Sequence, residues 1–143
     1  MYPIDQMKSL IREKDICVLA TDAGGKPYCS LMAYVNDESC HEIYMVTLRN
    51  SKKFKNLMEN PVVSLLIDSR EKKPPSQQQA LTVEGSFYLI KNEDKQTSIR
   101  EMIRKAHPHL NYFIDDKEAE IFCIKAEFFM LVNAFNETHF HKL

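Results

Sequence analysis

The spacing of apolar residues divides the chain into helix-like and strand-like stretches whose order suits an antiparallel sheet. From Pro3 to about Lys14, Ile4, Met7, Leu10 and Ile11 recur at helical spacing and predict a first amphipathic helix. ICVLAT (Ile16 to Thr21) is a short β-rich run, and Gly24-Gly25 turn it into a second extended run, PYCSLMAYV (Pro27 to Val35), so the two predict a hairpin. On the second strand Tyr28, Ser30, Met32 and Tyr34 share one face, and Cys29, Leu31, Ala33 and Val35 share the other. Both faces are largely apolar, as in a strand covered on each side by a core, a partner or a ligand.

EIYMVT (Glu42 to Thr47) predicts a third strand that feeds almost directly into a short helix. Ser51 is a good N-cap, Phe54, Leu57 and Met58 recur at helical spacing, and Asn60-Pro61 ends the run, so this helix starts at Lys52. VVSLLID (Val62 to Asp68) is nearly continuous in apolar residues and reads as a central strand. SREKKPPSQQQ (Ser69 to Gln79) suits a surface loop or a flap near a site. ALTVEGSFYLI (Ala80 to Ile90) resumes the sheet, and Gly85 within it suggests a bulge or a close approach.

From Asp94 to His107, Ile99, Met102, Ile103 and Ala106 give a further amphipathic helix that stops before Pro108. LNYFIDD follows as a short helix or turn, and EAEIFCIKAEFFMLVNAF (Glu118 to Phe135) reads as one long bent strand or two hairpinned ones. The tail NETHFHKL is expected to be partly ordered at best. The expected class is mainly β: a six-stranded antiparallel barrel with peripheral helices, in a single domain spanning residues 1–143. A doubly wound parallel sheet does not fit, because the first three runs lie too close together for helical crossovers.

Composition narrows the function classes. A net charge of −1, with 27% charged and 44% hydrophobic residues, argues against general nucleic-acid binding. The opening MYPIDQMKSLIREK lacks the apolar core of a signal peptide, and no run approaches membrane-spanning length, so a cytoplasmic protein without membrane contact is expected. Cys17, Cys29, Cys40 and Cys123 are widely spaced and read as reduced, mostly buried thiols. His107/His109 and His139/His141 lack a third ligand pattern, so no metal site is expected.

One local conflict stands out against this ordinary background. Lys52, Lys53 and Lys55, with Arg49 just upstream, crowd the start of a helix, where the dipole is already positive. Uncompensated, each such charge costs about 0.3 to 1 kcal/mol. An anion removes the conflict, and free helix N–H groups, a Ser hydroxyl and ammonium groups together make a phosphate site without a glycine-rich loop. The other reading is a solvated basic helix start.

GKPYCSLMAYV, EIYMVTLRNSKKFKNLMENPVVSLLID and ALTVEGSFYLI resemble the pyridoxamine 5′-phosphate oxidase-like family of FMN-binding split barrels. The resemblance covers about Ile4 to Ile90 well and the remainder by the order of elements. It implies a six-stranded split barrel, pairing as a homodimer with FMN in a cleft between subunits. It places Ser30, Leu31, Met32 and Ala33 along the flavin ring, Val46 and Thr47 beneath the ribityl chain and phosphate, and Ser51, Lys52 and Lys53 on the phosphate. Gln79 would reach over from the sheet.

Two departures bear on the substrate and on affinity. Ser30 and Val35 stand where the oxidase has basic residues, and NAFNETHFHKL has no counterpart of its C-terminal arginine and histidine motif, so pyridoxamine phosphate is not the expected substrate. The leading expectation is an FMN-dependent oxidoreductase acting on an unidentified small redox substrate. The alternative is a flavin- or haem-binding sensor or stress protein without turnover, with His139 and His141 as candidate axial ligands. Tyr28, Cys29 and Tyr34 are either flavin tuners or packing residues.

Overall fold

The hairpin at Gly24-Gly25 forms, and both glycines take the positive φ (61° and 76°) that a two-residue hairpin loop demands. It joins β1 (Ile16–Ala23) to β2 (Lys26–Ala33) in the computed structural model, which describes residues 2–69, 74–134 and 137–143. The remaining elements are α1 (Pro3–Glu13), β3 (Val35–Asn36), β4 (Glu42–Leu48), α2 (Lys52–Glu59), β5 (Val62–Asp68), β6 (Gln79–Leu89), α3 (Glu93–Ala106), β7 (Ala119–Asn133) and β8 (Thr138–Lys142). Part of the loop expected over Ser69 to Gln79, and the strand end expected at Phe135, lie outside the described residues.

All strand pairings are antiparallel, in the order β2-β1-β5-β6-β7-β4-β3, with β8 added to β7. The first and last strands of that path are separated in sequence by Tyr34 alone. The chain therefore passes from one edge of the sheet to the other within a single residue, and the sheet must curl to permit it. The result is a mainly β curled antiparallel sheet with helices, consistent with a split barrel.

The strand number differs from the six expected: the described residues carry eight. One extra arises because the run Pro27 to Val35 is broken at Tyr34 into β2 and β3. The other is β8, which corrects the expectation of a partly ordered tail. β8 pairs with β7 over Phe128–Val132, below the point where β7 leaves β4, so it covers an edge that would otherwise stay open.

Tyr34 is the corner of the fold. Its N–H donates to the Asp15 carbonyl (2.9 Å), its hydroxyl donates to the Ile11 carbonyl near the end of α1 (2.7 Å), and its ring is buried. α1 lays Met7, Leu10 and Ile11 onto the main core, joined there by Leu19, Leu65, Leu81 and Phe129 from the sheet. β5 is interior in the sheet, as its continuous apolar run predicts. Gly85 sits at the bulge between β6 and β7, where a Cβ would lie 2.3 Å from the Lys125 carbonyl oxygen, so only glycine fits.

α3 covers a second, smaller core built from Tyr44, Val46, Ile99, Ile103 and Ile121. The Glu42 carboxylate, a quarter exposed, fastens α3 to the sheet: Lys95 Nζ (2.9 Å), the Tyr44 hydroxyl (3.0 Å) and the Cys123 thiol (3.5 Å) all donate to it. Burial pushes the Glu42 carboxyl up, but the hydrogen bonds from Lys95 and Tyr44 outweigh it and hold the group below the usual carboxylate range. Burial also drives the Cys17 and Cys123 thiols up to about 12, so both are protonated packing groups. Cys40 is buried too, whereas Cys29 is exposed.

Two stability outcomes follow from these contacts. Tyr34→Phe leaves the Ile11 carbonyl without its buried donor, and a urea titration is expected to show a loss of about 1 to 3 kcal/mol. The depressed Glu42 group contributes stability above the unfolded carboxylate value near 4.3, and that contribution fades as pH falls through the lower folded value. Glu42→Gln should therefore destabilise the protein at pH 7, and the gap from the parent should shrink below about pH 4 in a pH series of denaturation midpoints.

Candidate functional site

The seam between the two ends of the sheet does not close along its whole length. β3 pairs with β4 only at Val35 with Tyr44 and Asn36 with Ile43. Extending that register would set Ala33 opposite Val46, Met32 opposite Thr47 and Leu31 opposite Leu48. None of those pairs forms, and these six residues instead line the two sides of a cleft of about 300 Å³. Each of β2 and β4 thus presents an unpaired backbone edge to the cleft, a source of N–H and C=O groups that a ligand or water must satisfy.

At the end of the open stretch the backbone of Tyr34 serves two neighbours. Its N–H continues the β1–β2 pairing by one rung onto the Asp15 carbonyl, whereas its carbonyl oxygen leaves the sheet and lies 2.8 Å from His107 Nε2. His107 is 2% exposed, and accepting its N–H is the role open to that carbonyl, which fixes the proton on Nε2. The same residue ends α3 by donating its backbone N–H to the Ile103 carbonyl, and its own carbonyl accepts the Leu110 N–H (2.9 Å). Leu110 in turn accepts from Phe113 and Ile114. The segment after α3 is therefore hung from His107, and its Leu110, Tyr112 and Phe113 form a further wall of the cleft.

The polar part of the lining comes from the junction of β4 and α2. Ser51 caps α2, its hydroxyl accepting the Phe54 N–H (3.2 Å) and lying 3.2 Å from the Thr47 hydroxyl. The first turn of α2 carries no acidic residue, and Lys53 projects among the cleft residues. Arg49 takes no part: its guanidinium pairs with Glu118 (3.5 Å) and Glu120 (2.8 Å) and donates to the Lys117 carbonyl. The basic cluster read from the sequence is thus divided. One cation is spent on the approach to β7, and the lysines remain at the helix start.

Seven of the ten site residues expected from the sequence meet in this cleft: Leu31, Met32, Ala33, Val46, Thr47, Ser51 and Lys53. Three stand apart. The Lys52 ammonium lies 5.2 Å from the centre of the Tyr28 ring, a cation–π placement beside the cleft. Ser30, on the lining strand, keeps its hydroxyl out of solvent with no hydrogen-bond partner among the described residues. Gln79 lies in a separate polar depression of about 510 Å³, where its Nε2 donates to Gln6 (3.3 Å) and Asn133 (3.2 Å).

Leu110, Tyr112 and Phe113 escaped the sequence reading, which treated their stretch as a connection. The signal available was the density of apolar and aromatic residues in LNYF directly after a helix stop. His139 and His141 fall on the half-buried face of β8, opposite Leu131 and Phe129, and neither lines the cleft. Among the described residues no three His, Cys, Asp or Glu side chains group as a metal would require, and no helix is long and apolar enough to cross a membrane.

His107→Leu removes the donor to the buried Tyr34 carbonyl and should cost about 1 to 3 kcal/mol in denaturant unfolding. His107→Gln, which retains an N–H donor, should recover part of that loss.

Comparison with known proteins gives this cleft a context. The family model described as pyridoxamine 5′-phosphate oxidase matches residues 4–130. No curated protein matches the sequence. Among solved structures, the chain is similar to a haem-binding protein from Mycobacterium smegmatis, with a TM-score of 0.86 at 16% identity over 99% of this chain. It spans only 59% of that protein's length. It is also similar to a putative pyridoxamine 5′-phosphate oxidase from Listeria innocua (TM-score 0.74, 20% identity, 92% of this chain and 99% of that one). General Stress Protein 26 from Bacillus anthracis str. Sterne is matched over 100% of both chains, with a TM-score of 0.75 and 18% identity. At these identities the likeness speaks for the fold alone.

Proposed function

The chain belongs to the pyridoxamine 5′-phosphate oxidase family, and on that premise we propose that the seam cleft binds FMN and that the protein is an FMN-dependent oxidoreductase acting on a small molecule. The observation that carries this reading is the meeting of Lys53, Ser51 and Thr47 with the unpaired edges of β2 and β4 in one cleft. A flavin needs an apolar wall with a few backbone donors aimed at its edge, and its phosphate needs cations and free N–H groups. Both requirements are met by neighbouring parts of this lining.

Within that reading each residue has a task. Met32, Ala33 and Val46 give the ring its apolar wall, and the open strand edges supply donors and acceptors. Lys53 and the N–H groups opening α2 bind the phosphate, where its negative charge offsets the dipole conflict. Thr47 and Ser51 share the same corner of the lining. The flavin, once bound, supplies the redox chemistry, so the protein's part is to position it and exclude water.

A homodimer belongs to the same proposal. A cleft of about 300 Å³ lies at the lower limit of ligand pockets, roughly 300 to 1,000 Å³, so one protomer offers a partial enclosure. β2 leaves Tyr28, Cys29 and Leu31 exposed although its sequence is apolar on both faces, and a second copy laid on this strand would cover them. In that arrangement Gln79 would approach the flavin from the other copy, since it stands away from the cleft of its own chain.

A second reading, haem in place of flavin, is favoured by the haem-binding name of one similar structure. The visible spectrum of the purified protein separates the two: paired blue and near-ultraviolet bands for flavin, an intense Soret band for haem.

Lys53→Ala is expected to weaken FMN binding by roughly ten- to a hundred-fold, the equivalent of one charge-assisted bond at about 1.5 to 3 kcal/mol, while the fold is kept. Lys52→Ala, engaged with Tyr28, should have the smaller effect. Isothermal titration of the apo-variants with FMN checks both, and equal affinity in Lys53→Ala and parent would remove the site assignment.

A further inference from the structure

We propose that the segment hung from His107 selects the second substrate, and that Tyr112 stacks on a flat, uncharged, carbonyl-bearing conjugated molecule of the quinone class. The inference rests on the FMN reading above and extends it to a residue and substrate class that neither the sequence motifs nor the comparisons address.

Three observations support it. The first is charge: Lys53 is the one charged side chain of the cleft lining among the described residues, and the phosphate site claims it. What remains for a substrate is the largely apolar wall of Leu110, Tyr112 and Phe113. An acceptor with carboxylates or phosphates of its own would find no counter-charge there, and desolvating it would cost several kcal/mol.

The second is shape. Tyr112 is 85% exposed, so the wall that follows α3 carries a large aromatic side chain free on the lip of the cleft. Tyr112 and Phe113 rings lie 5.0 Å apart at 59°, so the aromatic surface turns a corner at the mouth. A flat conjugated molecule covers such a lip with little ordering cost.

The third is the tether. An exposed tyrosine on a loose loop would be unremarkable, but this one is two residues beyond the 3₁₀ turn that follows a 2%-exposed histidine bonded to the barrel corner. The wall is held at a fixed place relative to β2. With its side chain 85% exposed, the Tyr112 hydroxyl is accessible to a substrate carbonyl. FMN bound here and reduced by an external hydride donor of the nicotinamide class would supply the two electrons and two protons that turn a quinone into a hydroquinone, with Tyr112 holding the substrate.

Equilibrium dialysis of menadione against the oxidised, FMN-loaded protein tests this without turnover. Tyr112→Ala should weaken menadione binding by roughly ten-fold, Tyr112→Phe by less because the ring is kept, and FMN content should be unchanged in both. Equal menadione affinity in Tyr112→Ala and parent would overturn the proposal, as would tighter binding of an anionic naphthalene sulfonate than of menadione. Should the purified protein carry and accept no FMN, the flavin reading fails on its own. The same dialysis on flavin-free protein then decides the stacking role of Tyr112 separately, with a loss in Tyr112→Ala supporting it and no change removing it.

Discussion

Everything that distinguishes this barrel from a closed one depends on where the backbone of Tyr34 sends its two hydrogen bonds. A residue between two paired strands ordinarily gives both to its neighbours in the sheet. Here the N–H continues the β1–β2 pairing onto Asp15 but the carbonyl accepts from His107 outside the sheet, and on the β2 side of this residue the next three pairs with β4 do not form. The phenol of the same residue ties the corner to α1. A buried backbone carbonyl left unpaired costs about 1 to 3 kcal/mol, enough to make the His107 contact a requirement of the open seam.

An open seam inside a mainly β protein is a liability unless something fills it, because unpaired strand edges invite association. This chain limits the exposure in two ways. β8 covers the far part of β7, and α3 is fastened over β4 and β7 through the Glu42 carboxylate. The edges that stay uncovered are those beside the α2 start. The dipole conflict there and the unpaired backbone are two demands at one place, and an anionic ligand with a hydrogen-bonding edge would meet both.

Local periodicity made most of the elements legible. β5 occupies the predicted residues, α2 begins and ends where its cap and Asn60-Pro61 place it, and Gly85 marks a bulge. The break at Tyr34 was not legible, since Tyr34 lies in an unbroken β-rich run and the partner that takes its carbonyl out of the sheet, His107, is distant in sequence. For the same reason the wall at Leu110 to Phe113 was missed: its role comes from a tertiary bond made by His107. Arg49 could not be separated from the lysines by sequence, because Glu118 and Glu120 reach it only through the pairing of β4 with β7.

The division of the cleft lining also bears on how much chemistry the protein itself must do. Its polar groups, Thr47, Ser51 and Lys53, come from one junction, while the wall of Leu110, Tyr112 and Phe113 is largely hydrocarbon and aromatic. A site built for general acid–base work needs a titrating side chain within about 3 Å of the reacting atom, and this wall offers none beyond the Tyr112 phenol. Electron transfer from a bound flavin asks only for a dry, stacked geometry. The scarcity of titrating groups is therefore what a positioning site would have, and on the proposed flavin reading selectivity would fall to the shape and placement of three side chains on the segment that one buried histidine ties to the barrel.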